Sequence, residues 1–284
     1  MNQFKMKKYK IGEVSKILDI PVETIRFYEK KGLIHPEKDK YSSYRYYDIW
    51  DISRLLDYRK YRELEFTLNE SIDIIQSTDF EKYIDKLHQK QEEAEERSRY
   101  YELKAIKLHN YQNVLKNVPL LLGEYPIVRR PEGYYFINHS YDGENFYYHK
   151  AEDIKGFHEI LKHYTFVENI YCIKKDWVNG AQKKEKFQWG FTIKKKWADA
   201  LKISIHEEME HITPVKSIYT IIRVKDEELF TAKLLEPVFS HMKAMGYSLN
   251  GDILGNQIAT VYEDGERIRY MEIWVPILEE DKTI

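Results

Sequence analysis

A long, uninterrupted helical pattern in the middle of the chain constrains the fold more than any other feature. Apolar and small residues recur there in alternating steps of four and three, and neither Gly nor Pro interrupts them. At 1.5 Å per residue, such a helix of about 36 residues is roughly 54 Å long. We therefore predict one helix over residues 79–118, ended by Pro119. Its seam consists of Phe80, Ile84, Leu87, Gln91, Ala94, Ser98, Tyr101, Ala105, Leu108, Gln112 and Leu115.

This helix needs a partner along its seam. The highly charged stretch on both sides of Ala94 cannot be core on all faces. Packing on the same chain is the alternative to pairing with a second copy, but most of the helix would extend beyond the short segment that precedes it. The sequence favours a dimerisation helix over residues 77–119, an antiparallel coiled coil with parallel pairing left open. The polar seam residues would fix its register.

Residues 1–76 predict a head made of short helices. Apolar residues at helical spacing indicate a first helix over residues 11–18. Pro21 suits the first turn of a second helix, and Gly32 ends it. Two helices joined by a tight turn, the second presenting polar and aromatic groups, form a helix-turn-helix. Its inward residues are Val22, Ile25 and either Phe27 or Tyr28, and its free residues are Glu23, Thr24, Arg26 and Lys30.

An aromatic-rich segment follows the second helix. Pro36 and Asp39 are turn formers, and the return over residues 41–47 predicts a β-hairpin wing. A third helix begins after Asp48, a favoured N-cap residue. A fourth begins at Thr67, whose TLNE sequence is a capping box. The whole head is thus predicted to be an N-terminal all-α winged helix-turn-helix.

Charge is distributed unevenly along the chain. Residues 1–62 contain 15 Lys and Arg against 9 Asp and Glu, a net charge of +6, whereas the rest contains 30 against 38, a net charge of −8. A basic head on an acidic body indicates that this end of the chain meets a polyanion.

Residues 120–284 predict an α+β domain of two βαββ repeats. The two copies end in FQWGFTI and YMEIWVPI, and together they predict an antiparallel sheet with a cleft between its halves. The first copy has strands near 133–139, 169–174 and 187–193 and a helix near 151–163, and the second has strands near 216–224, 255–262 and 269–277 and a helix near 227–245.

Composition disfavours several classes of protein. The single cysteine, Cys172, excludes an intramolecular disulfide and a multi-cysteine metal cage, and the histidines show no metal spacing, so we predict neither metal nor cofactor. No apolar run approaches the ~18 residues that span a bilayer, and no secretory signal is visible. We therefore expect a cytoplasmic protein without a membrane partner. No nucleophile and base pair is recognisable, so we do not expect an enzyme.

The head closely resembles the MerR family of bacterial regulators. YKIGEVSKILDIPVETIRFYEKKGLI matches that family's helix-turn-helix pattern almost throughout, and SSYRYYD matches its wing. YRELEFTLNESIDII is similar to the stretch that follows the wing, with Glu65 where glycine is commoner. The match covers about residues 9–76 without gaps, and the long helix follows where the family places its dimer helix.

The resemblance implies a homodimer that binds a pseudo-palindromic operator in double-stranded promoter DNA, with RNA polymerase as a further partner. It also implies activation by bending and untwisting a promoter whose spacer is too long. Arg26 is the best single candidate for a phosphate or base contact. One of each pair, Phe27 or Tyr28 and Tyr46 or Tyr47, is expected in the core. The DNA-binding candidates are Ser15, Lys16, Thr24, Arg26, Tyr28, Tyr44, Arg45, Tyr46 and Lys60.

The C-terminal segment is similar to the GyrI-like effector-binding domain of the family's multidrug-sensing branch. The doubled βαββ pattern and the closing MEIWVPI carry this resemblance, and the loop GAQKKEKFQ departs from it. It implies that Glu272 supplies a carboxylate inside an aromatic pocket for hydrophobic, often cationic, small-molecule effectors. Plain core packing stays open for each aromatic. The ligand-binding candidates are Glu272, Tyr141, Tyr171, Trp189, Tyr219 and Trp274.

These patterns together predict a multidomain, ligand-responsive transcription regulator. Its parts are a winged helix-turn-helix over residues 1–76, a coiled-coil helix over 77–119 and a GyrI-like domain over 120–284. Metal sensing is disfavoured, because soft-metal sites need two or more thiolates. Two alternatives keep the DNA-binding head but make the C-terminal domain a small-molecule hydrolase or a protein-interaction module.

Overall fold

A computed structural model describes residues 7–42, 44–76, 79–150, 155–179, 185–225 and 228–279. The chain divides into two compact units, Met1–Arg99 and Tyr100–Ile284. The boundary lies inside the long helix, so the first half of that helix belongs with the N-terminal helices and the second half with the C-terminal sheet. No helix within the described ranges is both long and apolar enough to cross a membrane.

The N-terminal unit begins with the two predicted helices. Helix α1 spans Ile11–Leu18 and helix α2 spans Val22–Lys30. Between them Asp19 adopts a left-handed conformation with φ 53°, which turns the chain sharply. After α2, Gly32 has φ 76°, the conformation that ends many helices and favours glycine. Both helices bury their apolar residues in one core, as the helix-turn-helix prediction requires.

A small antiparallel sheet forms the wing. Strand β1 is Tyr9–Lys10, β2 is Glu37–Lys38 and β3 is Arg45–Tyr47, in the order β1-β3-β2. The predicted hairpin is β2 and β3, and β1 was not predicted because two residues carry no alternation to recognise. The carboxylate of Asp39 shapes the turn by accepting hydrogen bonds from the backbone N–H of Tyr41 (2.9 Å) and of Ser42 (2.8 Å).

Two further helices complete the head, and side chains at their first turns explain where they start. Helix α3 spans Ile49–Glu63, and the Asp48 carboxylate accepts a hydrogen bond from the Asp51 N–H. Helix α4 spans Leu68–Gln76, and Thr67 and Glu70 exchange the two hydrogen bonds of the predicted capping box. The turn between α3 and α4 places Glu65 at φ 65°, which explains why glycine is commoner there.

Helix α5 spans Phe80–Leu121 and continues past the predicted end at residue 118. The prediction that Pro119 stops the helix is therefore wrong by one turn. Proline removes only its own N–H from the ladder, and the N–H of Leu122 still donates to the carbonyl of Val118 at 2.9 Å. No side chain of α5 is fully buried. Apolar seam residues are among the most exposed of the chain, including Phe80 (77%), Tyr101 (64%) and Leu108 (61%).

The C-terminal unit is built on an antiparallel sheet, as predicted. Its strands are β4 Ile127–Arg129, β5 Gly133–Tyr141, β6 Phe146–Tyr148, β7 Val167–Ile173, β8 Phe187–Lys194, β9 Glu210–Ile212, β10 Lys216–Lys225, β11 Tyr247–Leu249, β12 Ile253–Glu263 and β13 Glu266–Glu279. Within the described ranges, eight strands follow the order β4-β10-β13-β12-β7-β8-β5-β6, with β9 paired to β5 and β11 paired to β13. The short helices are α6 Phe157–Lys162, α7 Lys175–Asn179, α8 Lys195–Ala200 and α9 Glu236–Ala244.

The strand order places the six predicted strands side by side as two groups of three. One group is β5-β8-β7 and the other is β10-β13-β12, and they meet where β7 pairs with β12. An internal repeat of βαββ units would give this order, and the repeat itself stays a prediction. Both helices are shorter than predicted. Helix α9 begins at Glu236 rather than near residue 227, because Pro237 is tolerated only in a first turn. Residues 151–154 of the other predicted helix lie outside the described residues.

The two faces of the sheet have different chemistry, since successive side chains of a strand point to opposite faces. On β13, Met271, Ile273 and Val275 lie on one face and join the apolar core that α9 covers. Glu272 and Trp274 lie on the other face, which also carries Cys172 of β7, fully buried in the middle of the sheet. The cluster of polar groups described below lies on this second face.

Candidate nucleic-acid interface and effector site

The second helix presents a polar surface centred on Arg26. The side chain of Arg26 is 59% exposed and pairs with Glu23 one turn earlier at 2.9 Å. Thr24 is half-buried beside it. A guanidinium held only by an exposed neighbour on its own helix can exchange that partner for a phosphate or a base edge at little cost. This helix therefore offers the donor that nucleic-acid recognition needs.

One residue of each predicted aromatic pair, Phe27 or Tyr28 and Tyr46 or Tyr47, packs into the core. Tyr28 packs against Tyr58, with ring centroids 4.6 Å apart, and burial raises the pKa of Tyr28 to about 12. Tyr47 is fully buried, and its pKa is also raised to about 12 by burial. Phe27 is 45% exposed and Tyr46 is partly exposed. Tyr28 was expected to contact DNA, but its ring belongs to the core because α2 packs on α3 through it.

The wing and the second helix are connected through one ion pair. The Arg45 Nε donates to the Glu29 carboxylate at 2.6 Å, and this hydrogen bond raises the pKa of Arg45. Tyr44 and Tyr46 precede and follow Arg45 in the sequence, and the centroids of their rings are 5.6 Å apart. Glu29 thus holds the Arg45 guanidinium against α2, and Glu29 lies one turn after Arg26 on the same face of that helix. The wing arginine and the helix arginine belong to one surface.

Three other predicted DNA-binding residues lie apart from Arg26 and Arg45. Lys16 and Lys60 are exposed and Ser15 is half-buried, and no contact within the described ranges joins any of them to Arg26. Sequence reasoning missed two arginines of α3. Arg59 and Arg62 line a depression of about 290 Å³ together with Thr24 and Tyr28. Their positive charge on a helix of the basic head was a signal that could have found them.

In the C-terminal unit, Glu272 is the most deeply buried carboxylate on the second face of the sheet, with 4% of its surface exposed. The hydroxyl of Tyr219 donates to its Oε2 at 3.2 Å, and the side-chain amide of Asn256 donates to its Oε1 at 3.4 Å. Burial raises the pKa of Glu272, because it disfavours the charged form more than these donors favour it. Glu272 is thus a buried acid that already has partners.

A second carboxylate, Glu168, shares Asn256 with Glu272. The side-chain amide of Asn256 also donates to Glu168 Oε2 at 3.0 Å, and the ammonium of Lys194 lies 3.3 Å from the same oxygen and 3.8 Å from Glu272 Oε1. Lys107, from helix α5, contacts the other oxygen of Glu168. Although burial acts to raise it, the two lysines hold the pKa of Glu168 below its usual range. The sequence indicated neither lysine nor Glu168 as part of the site.

Three of the predicted aromatic wall residues lie on the face of the sheet opposite to Glu272. Tyr219 and Trp274 do lie beside Glu272, with their rings 5.5 Å apart. Tyr141, Tyr171 and Trp189 point to the opposite face, where they pack against the apolar core that contains Phe187 and Phe230. The pairing of the strands explains this. Tyr171 pairs with Trp189 and with Gly255, whereas Glu272 pairs with Asn256, the next residue of β12. Because neighbouring residues of a strand point to opposite faces, Tyr171 and Glu272 lie on opposite faces of the sheet.

A cavity of about 320 Å³ opens against this polar cluster. Its walls include Lys107 and Tyr111 of α5, the sheet residues Glu168 and Glu272, and Trp197 of α8. The hydroxyl of Tyr111 donates to the carbonyl of Ile258 at 2.5 Å, which fixes that part of α5 against the sheet. The volume is at the lower end of the range for small-molecule sites, roughly 300–1,000 Å³. It suits a compound with one or two rings.

Comparison with known proteins connects the head to a family. Residues 9–78 match the profile of the MerR HTH family regulatory protein. A mercuric resistance operon regulatory protein of Bacillus cereus is 40% identical over 63 residues, which is 22% of this chain and 48% of that protein. The HTH-type transcriptional regulator ZntR of Escherichia coli K12 is 39% identical over 64 residues, 22% of this chain and 45% of ZntR. The chain thus spans about half the length of the curated relatives it matches.

Solved structures give weaker likenesses. A cryo-EM structure of an EcmrR–DNA complex covers 96% of this chain and 100% of its own, with 15% identity and a TM-score of 0.33. A MerR-family transcriptional regulator from Bacillus cereus covers 39% of this chain and 84% of its own, with 20% identity and a TM-score of 0.34. Both scores are too low to support an argument about the whole chain. The likeness to the MerR HTH family therefore rests on residues 9–78, the helix-turn-helix and wing of the N-terminal unit.

Proposed function

We propose that this protein is a ligand-responsive transcription regulator that binds promoter DNA as a homodimer. The observation that carries the proposal is the exposed Arg26 on the second helix of a MerR-type head, joined to the wing through Glu29 and Arg45. The C-terminal unit would bind a small hydrophobic effector in the cavity beside Glu272.

The chemistry of the head favours DNA over other polyanions. An α-helix fits the major groove of B-DNA, where an arginine reads guanine through two acceptors. The wing arginine would meet phosphates on one side of that groove, as positioning contacts do. Lys16 and Lys60 are exposed cations that would add to this phosphate attraction.

The seam of α5 favours a second copy of the chain as its partner. Its apolar residues repeat in heptads and most of them are exposed, and the seam has the length expected of a coiled coil. In an antiparallel pair the two heads would be related by two-fold symmetry and would read a pseudo-palindromic operator. Distortion of a promoter by such a pair costs of the order of 1–6 kcal/mol, which is within the range that a bound effector can bias. RNA polymerase would then use the altered promoter.

An Arg26→Ala variant tests the DNA-binding part of this proposal. Duplexes selected from a random library by the wild-type protein provide the site, and gel-shift titration gives the affinity. We expect a loss of roughly tenfold or more, because a bidentate base contact is worth about 1–3 kcal/mol. Arg26 is exposed, so the melting temperature should not change. Arg99→Ala, an exposed arginine on α5, is the matched control, and equal affinities for both variants would contradict the proposed interface.

A further inference from the structure

The wall of the proposed effector cavity carries more basic than acidic side chains. Its charged lining residues are Lys107, Lys194, Lys196, Glu168 and Glu272, three lysines against two glutamates. All five come from the C-terminal unit. If every one of them is ionised, the wall has a net charge of +1. The raised pKa of Glu272 makes that balance more positive whenever its carboxyl holds a proton.

Neither carboxylate is available for a cationic ligand. Glu168 is contacted by Lys107 and by Lys194, and it accepts the Asn256 amide as well. Glu272 accepts hydrogen bonds from Tyr219 and Asn256 and lies 3.8 Å from the Lys194 ammonium. An incoming cation would compete with these donors and would meet the positive charge of Lys194. A buried lysine next to a proposed cation site raises the free energy of binding a second cation.

Lys196 is the cation of this wall without an acidic partner. Among the residues that the structure describes, no carboxylate forms an ion pair with its ammonium, which lies 4.8 Å from the centre of the Trp197 ring. The pKa of Lys196 is lowered by burial and by the nearby charges of Lys194 and Lys107, which together outweigh the opposing charge of Glu168. The net field at Lys196 is therefore positive, and an anionic ligand would offset it.

We infer that the effector is a small aromatic or apolar compound with a single anionic group, which pairs with Lys196 while its ring packs against Trp197, Tyr164 and Tyr111. This inference rests on the proposed effector cavity and names the charge of its ligand. It reverses the expectation of a lipophilic cation, which followed from the resemblance and from Glu272 in an aromatic pocket. The anion would complete the charge balance that the three lysines and two glutamates leave open.

Three probes that share one ring system separate charge from shape. They are 1-naphthylacetate, its neutral amide and 1-naphthylmethylammonium, each titrated into the full-length protein by calorimetry. We expect the carboxylate to bind at least roughly tenfold more tightly than the ammonium, since each tenfold step is about 1.4 kcal/mol. Tighter binding of the ammonium would overturn the inference and leave the cavity as a ligand site. Binding by none of the three would overturn the cavity itself, and with it the effector part of the proposed function.

Variants of adjacent lysines locate the anion. Lys196→Gln should weaken 1-naphthylacetate by roughly three- to tenfold and leave the amide unchanged, and Lys196→Arg should restore the carboxylate affinity. Lys195→Gln is the matched control, because Lys195 is the next residue, pairs with Asp199 at 2.6 Å and does not line the cavity. Equal loss in both glutamine variants, or no loss in Lys196→Gln, would overturn the role of Lys196. A loss of amide binding in Lys196→Gln would also count against it, since charge would not be the cause.

Discussion

Glu168 and Glu272 lie on one face of the sheet, share Lys194 and Asn256, and yet have pKa values shifted in opposite directions. Both are desolvated, so burial raises the pKa of each. Glu168 has a second lysine, Lys107, and the two positive charges outweigh the desolvation. Of these two lysines, Lys194 is the one near Glu272, and it lies farther away, at 3.8 Å. The negative charge of Glu168 raises the pKa of Glu272 further. The additional charge of Lys107 beside Glu168 thus accounts for the opposite directions of the two pKa shifts.

The raised pKa of Glu272 predicts a pH-dependent stability difference between the wild type and Glu272→Gln. Between the unfolded pKa near 4.5 and the higher folded pKa, the folded state keeps a proton that the unfolded state has lost. Stability attributable to this group is therefore present below the unfolded pKa and is lost as the pH rises through the folded value. Glutamine cannot ionise, so the variant should be more stable at neutral pH, by on the order of 1 kcal/mol or about 2–4 °C in Tm.

Thermal melts of both proteins across pH 4.5 to 8, taken as a difference at each pH, measure this effect. The difference should grow with pH. A constant difference, or a variant that is less stable at neutral pH, would contradict the assignment of Glu272 as a buried acid with a raised pKa.

Single residues were predictable from the sequence where the signal was local. Asp48, Thr67 and Gly32 perform the capping roles that their types and positions indicated. The companion of Asp48 was missed. Asp51 is buried, and its carboxylate accepts hydrogen bonds from the N–H of Asp48 and from the N–H of His35, sixteen residues away. No local pattern contains that long-range partner.

At the scale of elements, Asp51 connects the start of α3 to the segment that follows α2. Asp51→Ala should lower the free energy of unfolding by about 1–2 kcal/mol, because α3 loses part of its capping box and the His35 N–H loses its acceptor. Urea denaturation measures the change. Asp57→Ala, an exposed position on the same helix, is the control and should stay within about 0.5 kcal/mol of the wild type. A similar effect of both substitutions would show that helix propensity, not the Asp51 contacts, is responsible.

The seam of helix α5 predicts how a substitution would change the oligomeric state of the protein. Ile84 is a seam residue with half of its surface exposed, so Ile84→Glu should place a charge in the dimer contact and shift the protein toward monomers. Gln89→Glu adds the same charge at an exposed position outside the seam and should leave the dimer intact. Light scattering coupled to gel filtration gives the mass of each. A wild type that is monomeric at micromolar concentration, or a dimeric Ile84→Glu, would contradict coiled-coil pairing.

The elements themselves were predictable to different degrees. Helices α1 to α5 follow local periodicity and caps, so their positions agreed with the sequence to within a few residues. The six predicted strands are present, but the sequence did not show which side chains of different strands lie on the same face of the sheet. Alternation within β13 separates Glu272 from Ile273, yet only the pairing of β7 with β12 decides that Tyr171 lies on the far side. Lys107 could not be found either, because its ion pair with Glu168 joins residues 61 positions apart in the chain.

For the whole molecule, the separation of charge predicts how DNA binding depends on salt. The basic segment over residues 1–62 has a net charge of +6 and the rest has −8, so we expect the phosphate contacts of the proposed DNA complex to come from the head. If a dimer neutralises six to ten phosphates, affinity should fall by roughly 10³ to 10⁵ between 50 and 200 mM salt. Arg45→Ala should reduce the slope of log affinity against log salt by about one per head. An unchanged slope would remove Arg45 from the phosphate contacts.

The buried thiol of Cys172 has a practical consequence for measuring motion in this protein. Cys172 is fully inaccessible between Leu254 and Gln188, and burial raises its pKa to about 12, so little reactive thiolate exists in the folded state. A thiol reagent should therefore modify the native chain only when the central strands separate. The rate of modification then reports on the opening of the sheet core, and a bound effector should slow it. A cysteine introduced on the wing would accept a fluorophore without background from the native one.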